Sequence, residues 1–196
     1  MPELSLVLLI KLAACFLLGS IPFAIVSMWG TGVDITTYGS GNPGFNNVLR
    51  YSKWRSVICL AGDAGKGLLA ILLFSTSEFS GWLCGLAAVA GHCYSPFLKF
   101  RGGKGLATAA GVMLYLHPLI LLPCVAWYIV WRIIGAKLNW TERGAIASLT
   151  ASLLFVVQLL VFHSLLMASM GLLLLAFIAI RHKKNFENLG RAAKSH

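Results

Sequence analysis

Residues 105–134 read GLATAAGVMLYLHPLILLPCVAWYIVWRII, and the number of helices in this stretch decides the architecture of the whole chain. Hydropathy alone permits one long tilted helix or two short ones broken at His117-Pro118, since about 20 apolar residues suffice for one crossing. Charge separates the two readings. Lys99, Arg101 and Lys104 stand before the stretch, and Arg132, Lys137 and Arg143 stand at or beyond its far end. Both flanks belong to the cytoplasmic side under the positive-inside rule, so an even number of crossings must join them. Two spans follow, at least one of them short.

The same parity splits Gly144 to Ile180 near Phe162-His163, because Arg143 precedes it and Arg181, Lys183 and Lys184 close it. Upstream lie three further apolar runs, Leu4 to Trp29, Ser56 to Phe74 and Gly81 to Leu98. The polar, glycine-rich and basic segment Asp34 to Arg55 reads as a loop between the first two. The expectation is an all-α integral membrane protein of seven transmembrane helices, some short, with the N-terminus outside and the C-terminus cytoplasmic. Residues 1–196 would form a single helical domain without internal repeats. Of the 16 Lys and Arg, 14 fall in the predicted cytoplasmic segments and none in the outer loops, leaving Lys11 and Lys66 inside spans. The first run is too long for a secretory core and lacks a basic leader, so it reads as a retained helix.

Composition agrees. Hydrophobic residues make up 58% of the chain and charged residues 11%, against about 25% charged in soluble domains. The net charge of +10 raises a nucleic-acid reading, but the cations sit in short clusters between spans and not along one face, which excludes it. Lipid headgroups and small phosphorylated metabolites fit them better. Cys15, Cys59, Cys84, Cys93 and Cys124 are odd in number, lack Cys-x-x-Cys spacing and lie mostly in apolar runs, which argues against disulfides and zinc. Asp34 and Asp63 are the only aspartates, too few for a multi-Asp metal site. No histidine has an aspartate five positions later, which excludes a His-x4-Asp acyltransferase dyad. Neither metal nor cofactor is expected.

Two loops carry the chemistry. In Gly39-Ser40-Gly41-Asn42-Pro43-Gly44-Phe45-Asn46-Asn47-Val48-Leu49-Arg50, glycines let backbone N–H groups turn toward an anion, and Ser40, Asn42 and Asn47 add hydrogen-bonding groups. Arg50 offers a planar fork matched to phosphate oxygens. The second loop, Gly91-His92 through Gly102-Gly103-Lys104-Gly105, leads into a small-residue helix start. A Gly-Gly-Lys-Gly run at a helix N-terminus combines exposed donors with a point positive charge. It is not a Walker loop, because Gly105 stands where Ser or Thr is required and Leu98 stands in the place of the leading Gly. Asp63 and Lys66 lie three apart on one helix face inside an apolar span, and a structural ion pair near the site is the favoured reading over direct ligand contact. His182 and Asn185 share a face at the exit of the last span, although His182 beside Arg181, Lys183 and Lys184 also suits a headgroup-facing role.

In their order along the chain, Gly39-Ser40-Gly41-Asn42 with Asn47 and Arg50, Asp63-x-x-Lys66-Gly67, the Gly91 to Gly111 stretch and Arg181-His182-x-x-Asn185 resemble the bacterial acyl-phosphate:glycerol-3-phosphate acyltransferase family. The resemblance implies a seven-helix inner-membrane enzyme of phospholipid synthesis, with acyl phosphate, glycerol 3-phosphate and membrane lipid as partners and no obligatory protein partner. It assigns Ser40, Arg50, Lys104 and His182 to catalysis. Gly41, Asn42, Asn47, Gly102, Gly103, Gly105, Ser148 and Asn185 would bind substrate or phosphate. The chain departs from the family's usual pattern at Phe45 and Asn46, at Ala145 and at Asn188. A mixed carboxylic-phosphoric anhydride is already activated, so positioning and charge stabilisation would carry the rate without an enzyme nucleophile. The competing class is a small transporter of a phosphorylated metabolite, which would need polar groups through the outer half of the bundle as well.

Overall fold

A computed structural model describes residues 6–194, and it is helical wherever it has regular structure. Ten α-helices follow one another among the described residues: α1 (Leu6–Ser20), α2 (Phe23–Met28), α3 (Phe45–Tyr51), α4 (Lys53–Phe74), α5 (Glu78–Cys93), α6 (Leu106–Leu116), α7 (Pro118–Lys137), α8 (Arg143–Phe162), α9 (Leu165–Arg181) and α10 (Lys183–Lys194). Four stretches are long and apolar enough to cross a membrane: Leu6–Met28, Lys53–Phe74, Pro118–Lys137 and Arg143–Phe162. A fifth forms when α9 and α10, bent by 56° at their junction, are taken together. The 16 residues of α5 and the 11 of α6 are shorter. At 1.5 Å per residue, α6 reaches roughly 16 Å, about half of a hydrocarbon core.

The breaks expected from charge parity are present. Helix α6 stops at Leu116 and α7 starts on Pro118, where proline at the first position costs no hydrogen bond. Between α8 and α9 the Ser164 hydroxyl caps the new helix by accepting the Met167 N–H at 3.2 Å. Two boundaries differ from the sequence reading. The run Gly81 to Leu98 is helical only to Cys93, because Pro96 keeps Ser95 extended, and a short 3-10 turn, Pro96–Leu98, follows. The segment Asp34 to Arg55 is not all loop: it contains α3 and the first turn of α4, whose start Ser52 caps by accepting the Arg55 N–H.

The chain forms two compact units, the first ending at Leu116 and the second beginning at His117. In the first, α1 packs on α5 and α4 on α6, through small residues placed reciprocally. A Cβ at Gly19 would collide with the Ala88 carbonyl, and one at Gly91 with the Phe16 carbonyl. Likewise a Cβ at Gly67 would strike the Thr108 carbonyl, and one at Gly111 the Ala64 carbonyl. Large side chains such as Leu9, Ile10, Leu72 and Leu73 point outward instead, while Cys15, Ala70, Cys84 and Ala88 form a buried cluster. This pattern suits lipid, where close backbone approach takes over the role of hydrophobic collapse. Gly111→Val should therefore wedge α6 from α4, costing about 1–3 kcal/mol by overpacking. Gly65→Ala, on the same helix as Gly67 but with nothing within 4 Å of its Cβ, is the control. Thermal midpoints in detergent should fall for the first variant and hold for the second.

In the second unit α8 packs against both α7 and α9. Trp127 ties α7 to α8 through an indole N–H donated to Thr150 Oγ1 at 3.1 Å, and Trp131 stacks on Trp140 at 5.3 Å.

Candidate active site

The segment between α2 and α3 is organised by Asn47, which is 1% exposed on the inner face of α3. Its amide nitrogen donates to Ile35 O at 3.0 Å and to Tyr38 O at 2.9 Å. Its Oδ1 accepts the Ser40 N–H at 3.0 Å and Arg50 Nη1 at 3.4 Å. Those four bonds exhaust the side chain, which has two donors and two acceptor lone pairs. Asn47 thus builds the loop. The residues it holds, Ser40 and Arg50, are exposed.

Gly39 and Gly41 take left-handed backbone, with φ of +56° and +70°, on either side of Ser40. A Cβ at Gly39 would also lie 2.5 Å from Asn47 Oδ1. The turn is closed upstream by Asp34, whose Oδ1 accepts the Thr36 N–H at 2.8 Å and hydroxyl at 2.7 Å. The Thr36 hydroxyl and N–H hold the Asp34 carboxyl below its ordinary value. This contribution is present at neutral pH and is lost as pH falls through that lowered value.

The glycine loop folds back on the end of α5. Gly102 N–H donates to Cys93 O and Gly103 N–H to His92 O, both at 3.1 Å. These two glycines are needed for close approach: a Cβ at Gly102 would meet the His92 carbonyl, and one at Gly103 would meet the His92 ring and lie 3.0 Å from Pro43 O. Gly105 has φ of +85°. With two N–H groups spent on α5, the donors suited to an anion are those of the first turn of α6, which have no partner within the helix. Lys104 lies half-buried directly before them. The Pro43 contact brings this loop against the one carrying Ser40, Asn42 and Arg50, so two distant stretches of sequence meet at one place.

Beneath them is a buried ionic cluster. Lys66 Nζ lies 2.8 Å from Asp63 Oδ1 and donates to Ile21 O at 2.7 Å. His92 Nδ1 lies 3.3 Å from the same Asp63 oxygen. Asp63 and Lys66 form the structural ion pair expected from their spacing. His92 is a third member that sequence reading missed, since no helical period connects α5 to α4. Ser20, Asp63, Lys66, His92, Ser95 and Gly103, among others, line a cavity of about 10 Å³ shared by cluster and loop.

In the second unit His182 is 2% exposed and its Nδ1 lies 2.7 Å from Ile178 O. A carbonyl only accepts, so Nδ1 carries a proton in this contact. Asn185 Nδ2 and Asn188 Nδ2 donate to the two carboxylate oxygens of Glu142, each at 2.5 Å. Glu142, in left-handed backbone just before α8, thereby latches one face of α10, and no sequence signal marks it. Ser148 is buried, with its hydroxyl donated to Gly144 O at 2.7 Å.

Comparison with known proteins bears on what this arrangement serves. A model of the family described as glycerol-3-phosphate acyltransferase matches residues 9–192. Among relatives of that name, the one from Azotobacter vinelandii is 40% identical over 187 residues, covering 92% of this chain and 95% of its own length. That of Laribacter hongkongensis is 37% identical over 194 residues, covering 94% of each chain. The crystal structure of PlsY (YgiH), an integral membrane glycerol 3-phosphate acyltransferase, superposes in its glycerol 3-phosphate form with a TM-score of 0.80 at 32% identity, covering 94% of this chain and 92% of that one. Its lysophosphatidic acid form gives 0.78 at 34% identity, with the same coverage. On a family match over residues 9–192, relatives near 40% identity along almost the whole chain and a shared helical membrane scaffold, the chain belongs to the glycerol-3-phosphate acyltransferase family.

Proposed function

We propose that the chain transfers a fatty acyl group from acyl phosphate to the sn-1 hydroxyl of glycerol 3-phosphate, giving lysophosphatidic acid and inorganic phosphate at the inner membrane of a bacterium. The observation that carries the reading is the meeting of the Ser40–Arg50 loop with the Gly102–Lys104 loop above a buried ionic cluster. Cations and small donors dominate there, as two phosphorylated reactants require. Arg50 and Lys104 hold the phosphates. Ser40, with Gly41 and Asn42, and the first N–H groups of α6 stabilise the oxyanion that develops on the acyl carbonyl. The family resemblance gives His182, Asn185 and Ser148 a part in handling glycerol 3-phosphate, and within the second unit α10 is kept in place by Glu142.

In this mechanism the sn-1 oxygen attacks the carbonyl carbon, and collapse of the tetrahedral intermediate breaks the carbon–oxygen bond to phosphate, which leaves with the electron pair. The hydroxyl proton passes to the phosphate of glycerol 3-phosphate, so neither an enzyme nucleophile nor a carboxylate base is required. Seven crossings with the N-terminus outside would set the basic loops on the cytoplasmic side. Match of the family over residues 9–192 supports treating the chain as one working whole.

The test uses purified protein in detergent with palmitoyl phosphate and glycerol 3-phosphate, following phosphate release and lysophosphatidic acid. Turnover is expected with this donor and not with palmitoyl-CoA. Equal rates with palmitoyl-CoA would overturn the donor assignment. Vesicle uptake of labelled glycerol 3-phosphate without transfer would instead favour a transporter.

A further inference from the structure

We infer that His92 is a positioning residue that sets the affinity for glycerol 3-phosphate by holding the Gly102–Lys104 loop from two sides. The inference rests on the proposed transferase reading, in which that loop binds a phosphate. His92 touches the loop twice: its backbone carbonyl accepts the Gly103 N–H at 3.1 Å, and its ring edge at Nε2 fills the space where a Gly103 Cβ would project. The ring itself is fixed from below. Its Nδ1 faces Asp63 Oδ1 at 3.3 Å.

Asp63 is in turn immobilised by Lys66, and Lys66 by the Ile21 carbonyl. Ser95, three residues after His92, donates its hydroxyl to Ser20 O at 2.7 Å and pins the far side of the same turn. The cavity shared by cluster and loop holds about 10 Å³, roughly one water. An imidazole cannot swing within it.

A purely charge-balancing role for His92 is redundant, because Lys66 already faces Asp63 at 2.8 Å. What the lysine cannot supply is a rigid edge against Gly103. Asp63, Lys66 and His92 therefore form a strut from the interior of the membrane domain to the loop that precedes Lys104.

Two substitutions separate positioning from packing. Asparagine keeps a polar group facing Asp63 at the Nδ1 position but lacks the ring edge, whereas glutamine reaches toward Nε2 but gives up the Asp63 contact. His92→Asn should raise the KM for glycerol 3-phosphate about tenfold or more, with kcat, the KM for palmitoyl phosphate and the thermal midpoint close to wild type. His92→Gln should raise that KM less. Adding Gly103→Ala to His92→Asn should recover part of the loss, because the new methyl group occupies the vacated space, while Gly103→Ala alone should impair binding through collision with the ring. An unchanged KM for glycerol 3-phosphate in a folded His92→Asn protein overturns the inference. So does a fall of kcat and stability together with an equal rise of both KM values in every variant, which marks a structural residue only. Wild-type protein that transfers no acyl group would remove the transferase reading itself, a result independent of how the His92 variants compare.

Discussion

Lys104→Met is expected to lower acyl transfer by at least about 10²–10³-fold, the range seen when one preorganised donor to a developing charge is removed. Methionine keeps the unbranched stem and deletes only the ammonium, so packing changes little. Two features converge on that ammonium. It directly precedes α6, whose first N–H groups add partial positive charge, and its neighbours Gly102 and Gly103 are tied to α5 so that the loop is preset before substrate arrives. Thermal midpoint and elution volume should match wild type while kcat/KM collapses. Arginine at this position should rescue poorly, since its broad planar fork does not replace a compact point charge beside two close-packed glycines. Wild-type turnover in Lys104→Met would remove Lys104 from the site.

Asn47→Leu should have the largest effect on stability and also abolish activity. The swap is close to isosteric, so the loss is one of hydrogen bonds. Ile35 O and Tyr38 O each lose a donor, and the Ser40 N–H and Arg50 lose their acceptor. Each buried polar group left unsatisfied costs about 1–3 kcal/mol, and Ile35 O stands in this position, whereas Tyr38 O keeps the Gly41 N–H at 2.9 Å. Asn47→Asp is the sharper variant. It keeps the acceptor for Ser40 and Arg50 but turns a negative oxygen toward two carbonyl oxygens, so it should be nearly as damaging. Thermal unfolding together with phosphate release checks both. An Asn47→Asp enzyme with normal stability would mean that the four-bond hub does not organise the loop.

Much of the scaffold was legible because lipid imposes simple arithmetic. A run of apolar residues must close its backbone hydrogen bonds internally, hence a helix, and like-signed flanks force an even number of passes. That reasoning located the turns at His117 and near His163 without any contact information. It overextended the Gly81 to Leu98 run, where apolar residues continue past the helix and only Pro96 signals the stop. It also missed α3, because seven residues with two asparagines carry too little periodicity to be recognised.

The site divided differently. Residue types and spacing marked Ser40, Arg50 and Lys104 as candidates, since phosphate chemistry demands cations and flexible donors, and set Asp63 and Lys66 on one helix face, where they pair. Sequence by itself therefore determined a membrane-embedded helical protein with anion-seeking loops. Only the tertiary structure decided which polar groups are spent within the protein. Asn47 turned inward to its own loop, Gly102 and Gly103 gave their N–H groups to α5, and His92 and Glu142 acquired partners 29 and 43 residues away in the chain. A side chain's hydrogen-bonding capacity is finite, and how it is spent depends on what long-range packing brings within about 3 Å.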